Sequence, residues 1–138
     1  MRATLIAMSL MLLPIAACES PQAGNTDLAR AVEGRLWHAE TIAGKPVAEG
    51  SRVTLKIAAG RAGGKAGCNA YGGPVEIHGD RIKFGSIFRT EMACVGSGVM
   101  EQESSYLKLL QGAARGEVRG DGTLIITGDS GALVFRPE

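Results

Sequence analysis

The 138-residue sequence is poor in aromatic side chains (3 Phe, 2 Tyr, 1 Trp), in histidine (2) and in cysteine (3), and it contains no block of Lys or Arg. Each shortage narrows the range of functions. With 15 basic against 14 acidic residues and a formal charge of +1, nothing resembles the clustered cations that release counterions from phosphates. That argues against a nucleic-acid partner and equally disfavours a polybasic membrane patch. His38 and His78 have no CxxC or HxxxH spacing around them, so no metal site is expected. There is no GxSxG nucleophile elbow, and the run GRAGGKAG at 60–67 lacks the residue order of a phosphate loop. That run reads instead as a glycine-rich strand or bulge. The carboxylates are scattered and offer no paired acid and base. No catalytic residue and no cofactor are assigned, and His38 and His78 read as solvated strand residues.

Glycine is plentiful. Twenty glycines in one small domain is about twice ordinary usage, which favours many short elements joined by tight turns over a few long helices. The apolar residues exclude wholesale disorder, although a chain this short must draw stability from a modest core or a covalent brace.

The first residues read MRATLIAMSLMLLPIAAC: one cation at Arg2, an apolar run from Leu5 to Leu13, Pro14, then small residues before a cysteine. This is the order of a secretory signal, and it is shorter than the roughly 20 apolar residues of a membrane-spanning helix. Ala16 and Ala17 would serve an ordinary cleavage, but Ile15, Ala16, Ala17 and Cys18 together resemble the bacterial lipobox. That resemblance implies a signal over residues 1–17, diacylglycerol on Cys18 and acylation of its amine. Two or three acyl chains anchor stably, so the membrane is an expected partner through lipid alone. Glu19 in place of Asp implies, under the usual sorting pattern, the periplasmic face of the outer membrane. The stretch ESPQAGNTD at 19–27 has the composition of a flexible tether, and a tether over 18–30 followed by one domain over 31–138 is expected.

With Cys18 committed to lipid, Cys68 and Cys94 remain as an even pair in an oxidising compartment, where a disulfide is the default. Two reduced thiols, a catalytic cysteine and a metal site are the alternatives.

Alternation of apolar and polar residues predicts strands. Val53, Leu55 and Ile57 alternate with Arg52, Thr54 and Lys56; Val75 and Ile77 followed by HGD at 78–80 and then Ile82 and Phe84 read as a hairpin. TLIIT at 123–127 and ALVF at 132–135 read as a second hairpin, with further strands at Leu36–Ile42 and through Glu117, Val118 and Arg119. From Val99 to Ala114 the period changes: Val99, Tyr106, Leu107, Leu110 and Ala114 form a helical stripe. Ser97 is the expected N-cap, Glu101 and Glu103 lie where the helix dipole favours acid, and Gly112 is expected to end the helix in a left-handed conformation. The expected fold is mainly β: a small antiparallel barrel or rolled sheet of seven to eight strands with one amphipathic helix, its interior filled by side chains, with Trp37 a core anchor.

GCNAY at 67–71 and TEMAC at 90–94 resemble the signatures of the META domain, the family of the HslJ-like bacterial proteins. Trp37 with Ile42 and Gly44, MEQESSYLKLL at 100–110, and the pairs Leu124 with Ile126 and Leu133 with Phe135 support the likeness from about Val32 to Arg136. The sequence departs at Val75, where an aromatic is frequent, and at Val95, where proline is common. The resemblance implies a β-barrel-like fold with a helix, found in exported or lipid-anchored bacterial proteins, some linked to heat shock or novobiocin resistance, with no established catalysis. The glycines and Asn69 suit a turn delivering Cys68 to its partner, and Asn69, Tyr71, Thr90 and Glu91 are the candidate recognition surface. The expected function is a non-catalytic, lipid-anchored envelope protein that binds an envelope protein or supports envelope integrity under stress. Small-molecule binding in a calycin-like barrel is the alternative, and a hydrolase ranks last.

Overall fold

Alternation becomes structure in the computed structural model, which describes residues 28–96 and 98–138. The expected signal, Cys18 and Ser97 lie outside the described residues, as does the expected tether except for residues 28–30. In chain order the elements are α1 (Leu28–Val32), β1 (Leu36–Ile42), β2 (Lys45–Pro46), β3 (Arg52–Ala58), β4 (Arg61–Gly67), β5 (Ala70–His78), β6 (Arg81–Phe84), β7 (Phe88–Arg89), α2 (Val99–Gln111), β8 (Ala113–Val118), β9 (Leu124–Gly128) and β10 (Gly131–Pro137). On β3, Val53, Leu55 and Ile57 are buried while Arg52 and Lys56 are exposed. The same two-residue period puts Val75 of β5, Ile82 and Phe84 of β6, Leu124 and Ile126 of β9, and Leu133 and Phe135 of β10 inside.

The sheet order β10-β9-β8-β6-β5-β4-β3-β1 is antiparallel throughout and closes on itself through β1 and β10, with Trp37 opposite Pro137 and Ile42 opposite Leu133. Eight strands thus form a barrel, and β2 and β7 add to β1 and β5 outside it. Closure leaves the barrel strands few unpaired edges. One seam is thin: β6 meets β8 through the single pair Arg81 and Arg115.

Side chains fill the interior. Trp37, Leu55, Tyr106, Phe135, Leu110, Leu124 and Leu133 are at most 1% exposed and belong to one continuous core. The apolar space that a calycin-like ligand would need is taken by these groups. The tyrosine pair also repairs the β3–β4 ladder. Its regular pairs Val53↔Ala66 and Lys56↔Gly63 flank a stretch where a Cβ on Gly64 would come within 2.2 Å of the Thr54 carbonyl oxygen, so only glycine fits. There the Tyr71 hydroxyl donates to that carbonyl (2.8 Å), and the Tyr106 hydroxyl, 2.6 Å away, donates to Tyr71. The Lys65 N–H is met by Thr54 Oγ1 at 3.0 Å.

α2 packs against β4, β10, β1, β6 and β9, strands spread around the barrel, and so lies across one end of it. Its cap is Gly98 at φ +79°, with no side-chain hydrogen bond. Gly112 ends the helix at φ −91° rather than left-handed, its N–H donating to the Lys108 carbonyl (3.0 Å). The helix stops at Gln111, because Ala113 and Ala114, expected in its last turn, belong to β8, where Ala113 pairs with Gly128 of β9 and Ala114 lies at an irregularity before Arg115 pairs with Thr127. α1 was not expected. Leu28 and Val32 are buried, so the folded part takes in residues 28–30, which the expected 18–30 division places with the tether although the tether composition ends at Asp27.

Candidate functional site

The inner stripe of α2 carries an acid. Glu103 stands three residues before Tyr106 and seven before Leu110, so helical geometry turns all three inward, and Glu103 is 0% exposed. A carboxylate buried in this way is stable only if hydrogen bonds replace its water. They do: Oε2 accepts the N–H groups of Cys68 (3.2 Å) and Asn69 (2.7 Å), while Oε1 accepts Asn69 Nδ2 (2.7 Å) and Arg89 Nη1 (2.9 Å). Burial by itself would raise the Glu103 carboxyl, but the Asn69 backbone and side chain, the Cys68 N–H and the Arg89 guanidinium outweigh it and hold the group below the ordinary carboxylate range.

Asn69 is the hub on the other side. Its Oδ1 accepts the Thr90 hydroxyl (2.9 Å) and the Met92 N–H (2.7 Å), and its Nδ2 also donates to the Met92 carbonyl (3.2 Å). Thr90 in turn donates its N–H to the Ala70 carbonyl (3.0 Å) and accepts the Ala70 N–H on its hydroxyl (3.2 Å). Beyond it, Cys68 and Cys94 form a disulfide with Cα atoms 5.8 Å apart. The segment from β7 to Cys94 is thus tied to the barrel by an ion pair, a side-chain clamp and a covalent bond.

Of the four residues named as a recognition surface, Asn69 (1% exposed) and Tyr71 (5%) are buried, and their polar atoms are spent inside the protein. They position the surface and do not form it. Thr90 and Glu91 are exposed, as are Met92 (53%) and Val95 (107%); sequence reasoning assigns Met92 no role of its own and notes Val95 only as a departure from the family pattern. Phe88, 63% exposed, faces elsewhere: its ring lies over Gly72 on the outer side of the sheet. Glu103 was assigned only to the helix dipole. The signal that could have found it was its place, as an acid, within the Tyr106 and Leu110 stripe.

Glu103 is fully engaged by donors and sealed from solvent, so it cannot accept a substrate proton. His38 faces outward with Nε2 3.7 Å from Glu138 Oε1, and His78 is exposed. Among the described residues no group of three or more His, Cys, Asp or Glu could hold a metal ion.

Among solved structures, an NMR structure of a protein from Burkholderia xenovorans matches with a TM-score of 0.64 at 22% identity, covering 94% of this chain and 99% of that one. A second NMR structure matches with a TM-score of 0.65 at 16% identity, covering 78% of this chain and 92% of that one. At these identities the likeness establishes the fold alone. Among curated proteins none matches the chain. The META domain model matches residues 30–138, a span that takes in the whole barrel, the Glu103 and Asn69 network and the disulfide, and the chain therefore belongs to the META domain family.

Proposed function

We propose that the chain is exported, anchored through lipid on Cys18 at the periplasmic face of the outer membrane, and that its META domain catalyses no reaction but binds another envelope protein. The META domain is not a known enzyme family. The observation that carries the reading is the pinned segment from Thr90 to Val95. Met92 and Val95 are two of the three exposed large hydrophobic residues among the described residues, and both stand on a segment fixed by Asn69 and the disulfide. An apolar group held rigid before contact loses little entropy on binding, which is what a recognition loop needs.

The test is crosslinking of intact envelopes followed by capture of the lipoprotein, with Met92→Asp/Val95→Asp and Cys18→Ser compared with the wild type. A partner recovered reproducibly with wild type and lost with the loop variant is expected. Equal recovery with both would remove the loop from the reading, and no partner in any form would remove the interaction role.

A further inference from the structure

No cationic block exists in the linear sequence, yet the register of the sheet assembles one. Residues 52–67 contain Arg52, Lys56, Arg61 and Lys65 and no acidic residue. Burial alternates so that all four are exposed on the outer side of β3 and β4. Across the strands, Lys56 stands opposite Gly63 and Gly63 opposite Gly72, which pairs with Phe88; Arg61 stands opposite Pro74, and Lys65 opposite Ala70. None of the four cations makes a side-chain hydrogen bond or ion pair with another described residue. The carboxylate next along this face, Glu76, is in register with Lys83.

The floor between the cations is flat. Gly63 and Gly72 offer no side chain, and a Cβ at Gly72 would lie 2.9 Å from the Phe88 ring, so glycine there lets the ring rest on the strand. The face spans about 13 Å along the strands and about 10 Å across them. It is a plane of positive charge without a side-chain partner among the described residues, with an aromatic ring at its edge. Such a plane is complementary to an extended anionic surface carrying phosphates, with the ring seated among headgroups.

The chain's own attachment selects which surface. α1 leads into Gly34, whose N–H donates to the Ile57 carbonyl (2.7 Å), and Glu33 accepts the Ala59 N–H (2.9 Å). α1 therefore runs across the end of the barrel where β3 turns into β4, its first residue Leu28 packing toward Gly116 of β8 and the residues that follow the helix reaching Ile57 and Ala59. An anchor at Cys18, separated by nine residues from the first residue of α1, would keep this end of the barrel, and with it the face, at high effective concentration over the bilayer.

We infer that the outer face of the β3–β4 hairpin, Arg52, Lys56, Arg61 and Lys65 with Phe88 at its edge, docks the anchored domain on anionic phospholipid headgroups. The inference rests on the anchored reading given above. Docked in this way, the barrel lies on the membrane by one side and leaves the disulfide-pinned loop at a fixed orientation to it.

The test uses the full acylated chain in phosphatidylcholine vesicles with and without about one third phosphatidylglycerol, labelled by a membrane-impermeant amine reagent and read by mass spectrometry. Labelling of Lys56 and Lys65 should fall about threefold or more in the anionic vesicles and recover at about 0.5 M salt, where screening is short-ranged. Lys45 and Lys108, exposed on β2 and α2, should be unchanged. Arg52→Glu/Arg61→Glu, at exposed positions that leave the core intact, should abolish the protection. Equal labelling of all four lysines in both vesicles, or protection that survives the double charge reversal, overturns the inference. A chain whose intact mass shows no acyl groups would refute the anchor separately. The face is then judged by co-sedimentation with the anionic vesicles: salt-sensitive pelleting supports it, and no pelleting refutes it.

Discussion

Replacing Glu103 by Gln changes one atom and removes one charge, and the structure gives the consequence. Four donors converge on the carboxylate: the N–H groups of Cys68 and Asn69, Asn69 Nδ2 and Arg89 Nη1. An amide has one acceptor oxygen, which can serve the pair on one side, while its NH₂ then faces the donors on the other. Two donors lose their acceptor at a fully buried site, each at about 1 to 3 kcal/mol, and the hydrogen bonds that survive lose their ionic component. We expect Glu103→Gln to cost about 3 to 4 kcal/mol, a large share of the stability of a domain this size. Urea unfolding at neutral pH with the disulfide intact measures it. Acid provides a second reading. The carboxyl is held below its ordinary value, so its contribution is complete above the unfolded pKa of about 4.3 and is lost as pH falls through the lower folded value. Wild type should therefore lose stability below about pH 4 more steeply than Glu103→Gln. A cost below about 1 kcal/mol, or equal acid slopes in the two proteins, would refute the assignment of Glu103 as the fixed anion that organises this side of the barrel.

The chain has two tyrosines, and desolvation pushes both hydroxyls well above the ordinary tyrosine range, Tyr71 despite its bond to Tyr106. The neutral forms stabilise the fold below about pH 10, and that contribution declines as pH rises through the folded values. Tyrosinate absorbance should accordingly show no step near pH 10 and should appear together with unfolding; a step in the folded protein would contradict the buried pair. Removal of the disulfide in Cys68→Ser/Cys94→Ser, whose residues are 26 apart, should cost about 3.5 kcal/mol by chain entropy. Hydrogen exchange in that variant should speed up from Ala93 to Gly96, while the Thr90 amide, bonded to Ala70, stays protected because Asn69 and Glu103 still hold the segment. Loss of protection at Thr90 would show that the covalent bond alone does the holding.

Much of the barrel can be read along the chain because each strand with one wet face repeats every two residues. β1, β3, the β5–β6 hairpin and the β9–β10 hairpin announce themselves in this way, and GRAGGKAG reads as strand once glycine is allowed where backbones approach closely. β2 and β7 span two residues each, too few to show a period. α1 is five residues long and is helical because Leu28 and Val32 find a barrel end to cover. Ala113 and Ala114 fit a helix locally, but β9 offers this segment a ladder through Ala113 and Arg115.

Local composition determined that this chain forms a glycine-rich, mainly β domain with one amphipathic helix, because strand and helix periods and turn residues act over a few neighbours. Only the tertiary structure decided where charge and rigidity are concentrated. Arg52, Lys56, Arg61 and Lys65 are dispersed in the sequence and gather because two strands pair in one register. Glu103 becomes a fixed anion because Asn69 and Arg89, 34 and 14 residues away along the chain, fold back onto it. Hydrogen bonds and fields depend on distance in space, and residues far apart in the chain meet only when the barrel closes.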